Sequence, residues 1–177
     1  MTPPRATSPR RRILPPLLAA LSLAAPGCGY TVSSVLPSHI RTVAVPTFAN
    51  NTVEHGLADD VTQSLINGFL ADRRLRIERE RDADSVVRGT ILVYRNRVYA
   101  YTSQEVATQY EILLVIKIVF RDQIKNRDVW KEDEMTVRTT YNVVPIGEEP
   151  ARTESDGRKE VVQKLTDLVV SRTVQGW

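Results

Sequence analysis

The sequence QYEILLVIKIVFRD, residues 109–122, alternates two kinds of side chain along its whole length. One set of alternate residues is entirely apolar and consists of Tyr110, Ile112, Leu114, Ile116, Ile118 and Phe120. The other set is apolar only in its middle, at Leu113, Val115 and Val119. Because alternate residues of a strand point to opposite faces of its sheet, the stretch predicts a central strand. One side packs against helices and the other is partly exposed.

Patterns on both sides of this strand predict the rest of the domain. Alternation and β-branched content predict strands at residues 40–48, 74–80, 85–102 and 129–141, the third being one bent strand or two strands that meet near residues 95–97. Apolar side chains at helical spacing predict amphipathic helices at residues 57–72 and 158–174. The resulting order, β-α-β-β-β-β-α, predicts an α/β (α+β) fold. We expect a two-layer sandwich, with two helices packed on one face of a four- to five-stranded mixed sheet.

Composition indicates one globular domain behind a basic N-terminal segment. The chain has 177 residues, of which 42% are hydrophobic and 25% are charged, as in soluble globular proteins. Four arginines of the first 27 residues account for the formal charge of +3, because without them 20 basic residues face 21 acidic ones. The remainder of the chain is therefore nearly neutral, and nucleic acid is not expected as a partner.

The N-terminal segment has the pattern of a secretory signal peptide. Residues 1–12 are polar and basic, residues 13–25 are apolar and uncharged, and small residues follow before Cys28. This order is typical of a signal peptide, and the apolar run is shorter than the ~20 residues of a membrane-spanning helix. We therefore expect residues 1–27 to be cleaved and residues 28–177 to form a single domain.

Cys28 is the only cysteine of the chain, so an internal disulfide is excluded. The stretch Ala25-Pro26-Gly27-Cys28 resembles a bacterial lipobox, with Ala25 in the place that leucine usually takes. In a lipobox the cysteine is acylated and becomes the mature N-terminus, which predicts Cys28 as a lipidation site. Ordinary secretion and an uncleaved anchor are the alternatives. Gly29 after the cysteine, in place of the aspartate of inner-membrane lipoproteins, favours the outer membrane.

The sequence contains no pattern for catalysis, a cofactor or a metal. His39 and His55 are the only histidines, and both are expected as solvated loop residues. No nucleophile elbow, phosphate-binding loop or paired metal-ligand motif is present. The one unusual feature is a cluster of tyrosines around residues 94–110, interleaved with Arg95 and Arg97. Its members are Tyr94, Tyr99, Tyr101 and Tyr110. Such residues favour an interface or the head group of an amphiphile, although tyrosine is also an ordinary strand residue.

Several segments in a fixed order resemble the LPS-assembly lipoprotein family LptE. After Cys28 come Gly29-Tyr30, IRTVAVPTFANNT at residues 40–52 and GLADDVTQSL at residues 56–65. The later segments are RGTILVY, YEILLVIKIVF, VWKE and the C-terminal VVSRTVQGW. The segments at residues 42–52 and 56–70 are also similar to the opening of CsgG/LpoB-type lipoproteins, which act in secretion or in the regulation of peptidoglycan synthases. A periplasmic binding or hydrolytic lipoprotein of another kind is a further alternative.

The LptE resemblance implies a non-enzymatic protein without cofactors. It implies an outer-membrane lipoprotein, held by its lipid anchor, that plugs and stabilises an LptD-type β-barrel and assists lipopolysaccharide assembly. Its partners are then the barrel, lipopolysaccharide and the membrane. Family members bind lipopolysaccharide through basic residues, and Arg152 is the one position here to which such a role carries over, because a cation suits a phosphate-bearing ligand.

Overall fold

The computed structural model describes residues 36–175, so the predicted signal peptide and Cys28 lie outside the described residues. The elements in chain order are β1 (Thr42–Ala44), β2 (Ala49–Asn50), α1 (Leu57–Asp72), β3 (Arg76–Ile77), β4 (Ser85–Tyr101), β5 (Ala107–Asp122), β6 (Arg127–Asn142) and α2 (Glu154–Gln175).

The strands form one mixed sheet with the order β3-β1-β4-β5-β6, and β2 pairs beside β1 on the same side of β4. The short strands β1, β2 and β3 pair in parallel, whereas β4, β5 and β6 form a long antiparallel meander. β5 is central in this meander, as its sequence predicts, and the heavily charged β6 is the outermost strand. Antiparallel neighbouring strands can be connected by a short hairpin turn, and residues 123–126 form such a turn between β5 and β6.

Both helices cover one face of the sheet, which confirms the predicted two-layer α+β sandwich. The apolar side chains of β5 from Ile112 to Phe120 that point toward the helices are fully buried. Opposite them lie the buried helical residues Leu57, Val61, Leu65, Phe69, Val161, Leu165 and Val169. Each fully buried side chain of this size contributes about 1.5–3 kcal/mol by leaving water, so the core between these layers provides the main stabilisation of the fold.

The two helices approach each other closely at Gly68 of α1. A Cβ at this position would lie 2.5 Å from Cγ2 of Thr166 and 3.1 Å from Cγ2 of Val170. Next to this contact the hydroxyls of Ser64 and Thr166 are 2.7 Å apart. The helical pattern of the sequence places a glycine here at a cost of about 1 kcal/mol relative to alanine, and the close packing of α2 explains it.

Within residues 36–175 the sheet has six strands, more than the four to five expected, because the predicted strand 40–48 is shortened to β1 and an additional short strand, β2, follows it. Pro46 lacks an N–H, and the amide of Phe48 donates to Oγ1 of Thr62 on α1 instead of to a neighbouring strand. The chain therefore leaves the sheet after Ala44 and returns at Ala49–Asn50, where a loop was predicted. The second predicted strand, 74–80, is likewise reduced to Arg76–Ile77.

Of the two predictions for residues 85–102, one bent strand and not two is found, as β4 (Ser85–Tyr101). The register between β4 and β5 shifts between Ile91 and Val93, and again near Tyr101. A β-bulge of this kind leaves one residue unpaired and changes which side chains face the core. Because of the first bulge, Tyr94 points toward the helices and Arg95 points away from them.

α2 begins at Glu154, four residues before its predicted start, because the sequence Thr153–Asp156 caps it. The hydroxyl of Thr153 accepts from the amide of Asp156 (3.3 Å), and the Asp156 carboxylate accepts from the amide of Thr153 (2.9 Å). This reciprocal pair has the geometry of a capping box. Gly157, which suggested a loop in the sequence, lies inside the helix because the ring of Tyr141 and the side chain of Ile112 pack against it.

Candidate functional site

Arg152 closes the loop between β6 and α2. Its backbone amide donates to the carbonyl of Asn142 (2.7 Å), so the loop is held at its base. Its guanidinium donates to a carboxylate oxygen of Glu160 (2.7 Å) and to the carbonyl of Asp156 (3.3 Å). The side chain remains 36% exposed. The one lipopolysaccharide-contact residue predicted from the sequence is thus ion-paired and still reaches the surface.

Glu160 is the centre of a small charged cluster on α2. Besides Arg152, the ammonium of Lys164 lies 2.8 Å from its carboxylate, and the hydroxyl of Thr139 donates to it. Burial disfavours the ionised carboxylate, but the hydrogen bonds from Lys164, Thr139 and Arg152 outweigh burial and lower the pKa of Glu160 to about 2. Two cations therefore share one carboxylate, and the Arg152–Glu160–Lys164 cluster carries an excess positive charge.

Arg158, one turn after the start of α2, has a structural role. Its guanidinium donates to the carbonyl of His55 (2.9 Å), lies 3.0 Å from the carboxylate of Asp60 and stacks 5.9 Å above the ring of Tyr94. The Tyr94 hydroxyl donates to Glu154 (3.1 Å). Burial and the nearby Glu154 carboxylate raise the pKa of Tyr94, so its phenol stays protonated at neutral pH.

The four tyrosines noted in the sequence lie in two different environments. Tyr94 and Tyr110 face the helices, and Tyr110 stacks on Tyr141 with their ring centroids 5.7 Å apart. Tyr99 and Tyr101 are 59% and 61% exposed near the end of β4. Half of the group is therefore part of the packed layer, and the other half is available to a partner.

No helix or strand of residues 36–175 covers the middle of the sheet face that points away from the helices, although near the start of β4 the preceding loop buries Ala44 and Val86. Val93, Leu113, Val115 and Val119 lie along it half-buried. Across the three long strands, Arg95 pairs with Leu113 and Leu113 with Arg138, so an exposed arginine lies on each side of the apolar strip. We call this surface the open face. The sequence alone does not reveal this pair of arginines, because their proximity depends on the β4 bulge and on the register of β6.

Arg97 and Glu111 form an ion pair on the open face. The closest nitrogen and oxygen atoms are 2.6 Å apart, and the Glu111 side chain is only 9% exposed. The alternation of β5 places Glu111 on this face, but the sequence does not reveal that a cross-strand arginine covers it. The pair neutralises the buried carboxylate, while Arg95 and Arg138 lie beside Leu113 and the exposed Lys131 lies beside Val119.

His39 is bonded to a buried acid, so the expectation that it is a solvated loop residue is wrong. Its Nε2 lies 2.7 Å from the carboxylate of Asp122, whose side chain is 0% exposed. Burial opposes ionisation of Asp122, but hydrogen bonds from the Lys125 amide and His39 hold its pKa below the usual value. Because His39 precedes β1, this contact fixes the segment that leads into the sheet. No sequence spacing indicates the pairing, which spans 83 residues.

The arrangement provides surfaces for binding. Within residues 36–175, no three His, Cys, Asp or Glu side chains come together in a way that could hold a metal ion. In the same part of the chain, no helix is both long and apolar enough to cross a membrane. The candidate binding surfaces described above are the charged cluster at Arg152, the open face and the exposed tyrosines.

Solved structures share the fold at low sequence identity. Protein XCC0632 from Xanthomonas campestris has a TM-score of 0.56 at 11% identity, over 81% of this chain and 91% of that one. A minor lipoprotein from Acinetobacter baumannii has a TM-score of 0.50 at 16% identity, over 77% and 92%. A PelC variant from Paraburkholderia phytofirmans, a dodecamer, has a TM-score of 0.50 at 16% identity, over 82% and 96%. These likenesses show the fold alone.

Sequence comparison identifies the family. No curated protein matches the chain. The family model described as LptE, lipopolysaccharide-assembly, matches residues 40–173. This match extends from two residues before β1 into the last turn of α2 and includes all six strands, α1 and most of α2. The protein therefore belongs to the LptE family of lipopolysaccharide-assembly proteins.

Proposed function

We propose that this protein is a non-enzymatic outer-membrane lipoprotein that plugs an LptD-type β-barrel and assists the passage of lipopolysaccharide. The observation that carries the proposal is the family match over residues 40–173. The described structure is consistent with it, because it presents binding surfaces around a packed core. The match also favours this function over the alternative of a CsgG/LpoB-like lipoprotein.

Affinity purification from detergent-solubilised outer membranes tests the partner. The tagged full-length chain is expected to recover an LptD-type barrel in equimolar amount. Recovery of peptidoglycan synthases without the barrel would support the CsgG/LpoB-like alternative and contradict the proposal. The matched control is a lipoprotein of the same host with an unrelated domain, which should recover neither.

The anchor belongs to the same proposal. We infer that residues 1–27 are removed and that Cys28 is acylated, so that residues 28–177 remain attached to the membrane as one domain. Two or more acyl chains give stable attachment, whereas one chain binds only marginally. Mass spectrometry of the mature N-terminus is expected to show a diacylglyceryl-modified Cys28. An unmodified terminus at another residue would contradict acylation.

The cluster at Arg152 is the proposed contact for a phosphate group of lipopolysaccharide. Its excess positive charge and the 36% exposure of the Arg152 side chain support this role. A guanidinium binds phosphate in a bidentate manner that lysine cannot reproduce. Arg152 would then exchange part of its contact with Glu160 for the ligand, while Lys164 keeps that carboxylate paired.

Binding of purified lipopolysaccharide to the Arg152→Lys and Arg152→Ala variants tests this contact. Both are expected to bind less tightly than the wild type, by roughly tenfold to a hundredfold, the loss of about one charge-assisted hydrogen bond. Arg79→Ala is the matched control, because its side chain is 74% exposed. The adjacent Glu80 is bound by Gln123, in the turn at the end of β5 opposite to the one where Asn142 holds Arg152. Thermal unfolding of each variant separates lost binding from lost structure. Equal binding by all variants would remove Arg152 from the site.

A further inference from the structure

The chain enters the described domain at one end of the sheet, which we call the anchor end. Ser85, the first residue of β4, pairs there with β1 and with Asp122, the last residue of β5. Asp122 in turn holds His39, so the segment that leads into β1 is fixed at this end. Cys28 and Leu36 are eight residues apart, a distance that an extended chain spans with at most ~28 Å. An acylated Cys28 would therefore keep the anchor end close to the membrane.

The anchor end carries an excess of unpaired positive charge. Within residues 36–175, five basic side chains at this end are exposed and form no ion pair, namely Arg41, Arg73, Arg76, Lys125 and Arg127. Most of the acids nearby are already paired, Glu80 with Arg88 and Asp128 with Arg121 among them. Glu78 and Asp84 are the two carboxylates here without an ion pair in the described part of the chain, and Asp84 accepts from two backbone amides. The unpaired cations therefore outnumber the unpaired acids.

These cations extend across the whole width of the sheet. Arg76 lies on the edge strand β3, and its amide donates to the carbonyl of Arg41 (3.1 Å), directly before β1. Arg73 follows the last residue of α1. Arg127 begins β6, the strand at the other edge, and Lys125 lies in the turn before it. The five strands of this path measure about 20 Å across at the usual strand spacing. The cations thus form a broad surface and not a pocket for one small anion.

An apolar side chain lies among these charges. Ile124, in the turn between β5 and β6, is 59% exposed, and Lys125 follows it. The turn is fixed on both sides, because the amide of Lys125 donates to the carboxylate of Asp122 (3.0 Å) and the amide of Gln123 donates to the carbonyl of Asp84 (2.8 Å). An apolar residue surrounded by basic ones suits the boundary between the head groups and the acyl chains of a bilayer.

The opposite end of the sheet has the opposite charge. Residues 102–106, between β4 and β5, and residues 143–151, after β6, contain three glutamates and neither lysine nor arginine. β4 has 17 residues, which at the usual rise per residue separate the two ends by about 50 Å. An anionic surface therefore attracts the anchor end and repels the other end. The charge distribution favours one orientation of the domain on such a surface.

We propose that the anchor end binds the anionic phospholipid head groups of the membrane leaflet that holds the lipid anchor, with Ile124 at the boundary between head groups and acyl chains. This inference rests on the proposed function, in particular on the acylation of Cys28, and adds a second contact between the domain and the membrane. The anchor limits the distance of the domain from the membrane, whereas the basic surface also sets its orientation. Each basic residue near an anionic bilayer strengthens such binding about fivefold.

An environment-sensitive dye on the acylated full-length protein tests the docking. Because acylation blocks the thiol of Cys28, a cysteine introduced elsewhere is the one that a thiol-reactive NBD dye labels. Ile124→Cys places the dye at the anchor end. The matched control is Val106→Cys, in the turn at the opposite end, where the side chain is 57% exposed. Each labelled lipoprotein is reconstituted in vesicles of phosphatidylethanolamine with phosphatidylglycerol, and in vesicles of phosphatidylcholine alone.

In the anionic vesicles, the emission of the dye at position 124 is expected to shift to shorter wavelength and to be quenched by lipids with brominated acyl chains. Both effects should be absent in phosphatidylcholine vesicles and should weaken at 0.5 M salt, which screens the charges. The dye at position 106 is expected to remain in water throughout. An unshifted dye at position 124 in anionic vesicles, or an equal shift in both kinds of vesicle, would overturn the inference.

A charge variant tests whether the basic surface causes the docking. Arg76→Gln, at the sheet edge remote from the dye at position 124, is expected to lower the ratio of docked to undocked protein about fivefold. Lys159→Gln is the matched control, because Lys159 is also exposed and lies near the start of α2, toward the opposite end. Equal ratios for both variants would contradict the role of the surface.

The vesicles separate this inference from the barrel partnership, because they contain no barrel. Failure to recover a barrel from cells contradicts the proposed function and leaves the vesicle result unchanged. Loss of the dye shift on an acylated chain overturns the docking and leaves the barrel partnership intact. An unacylated N-terminus, detected by mass spectrometry, would contradict both the anchor and the docking.

Discussion

Alternate side chains of β4, β5 and β6 point to two faces of the sheet that differ in burial. On the helix-covered face, β5 contributes Ile112, Leu114, Ile116, Ile118 and Phe120, all with 0% exposure. On the open face, Leu113, Val115 and Val119 remain half-buried between charged neighbours. Neighbouring residues of one strand thus differ in what they contact. The first face determines the stability of the isolated domain, and the second contributes little to it and remains available to a partner.

The two faces are expected to differ most in how much the free energy of unfolding falls when one side chain is truncated on each. Leu114→Ala leaves a cavity in the core and is expected to lower the free energy of unfolding by about 2–5 kcal/mol. Val115→Ala, the adjacent residue on the open face, is expected to cost less than about 1 kcal/mol. Urea unfolding of both variants measures the difference. Similar losses would mean that the open face is also covered in the isolated domain.

A smaller effect is expected from the carboxylates on the two faces. Glu160 binds Thr139, Arg152 and Lys164 beside the helix-covered face, so Glu160→Gln is expected to cost about 1 kcal/mol at pH 7 after allowance for its partial exposure. Asp133 pairs with Lys117 on the open face, where its side chain is 61% exposed. Asp133→Asn is therefore expected to leave the urea midpoint unchanged.

The pH dependence of the Glu160 contribution sharpens this contrast. The pKa of Glu160 falls from the ordinary value of 4.5 to about 2 in the folded protein. A depressed pKa means that the unfolded state binds the proton first on acidification, so the contribution is complete above pH 4.5 and is lost as the pH falls toward 2. The stability difference between wild type and Glu160→Gln should shrink over this range. A constant difference would show that the carboxylate charge is not the cause.

A small effect is also expected at the arginines beside the apolar strip. Arg95→Ala and Arg138→Ala are expected to change the free energy of unfolding by no more than about 0.5 kcal/mol, because both side chains are exposed. Urea unfolding at neutral pH checks this. A loss above 1 kcal/mol for either variant would show that the open face also stabilises the domain.

Sequence periodicity predicted the elements whose side chains repeat regularly over many residues. The bounds of α1 are those predicted, and β5 contains the whole stretch from Gln109 to Asp122. Alternation and helical spacing are local, and each repeats often enough here to be unambiguous. The fold class followed from the order of these elements, and the family resemblance followed from the segments that form them.

The features that sequence analysis missed depend on single hydrogen bonds or on contacts distant in the chain. The early start of α2 depends on the side chains of Thr153 and Asp156, and β2 on the course of the chain around Pro46 and Phe48. The bond between His39 and Asp122 joins residues 83 positions apart. Periodicity carries no information about such pairs, so the candidate surfaces required the tertiary structure.

The pairing of the short strands has a consequence for the protein without its partner. β1 and β2 pair with β4 only up to Ile91, so among residues 36–175 no strand pairs with the following residues of β4 on that side, nor with the outer side of β6. Exposed strand edges of this length are templates for pairing with another copy. A copy that does not reach a binding partner is therefore expected to self-associate, and a stoichiometric supply of the partner would keep it soluble.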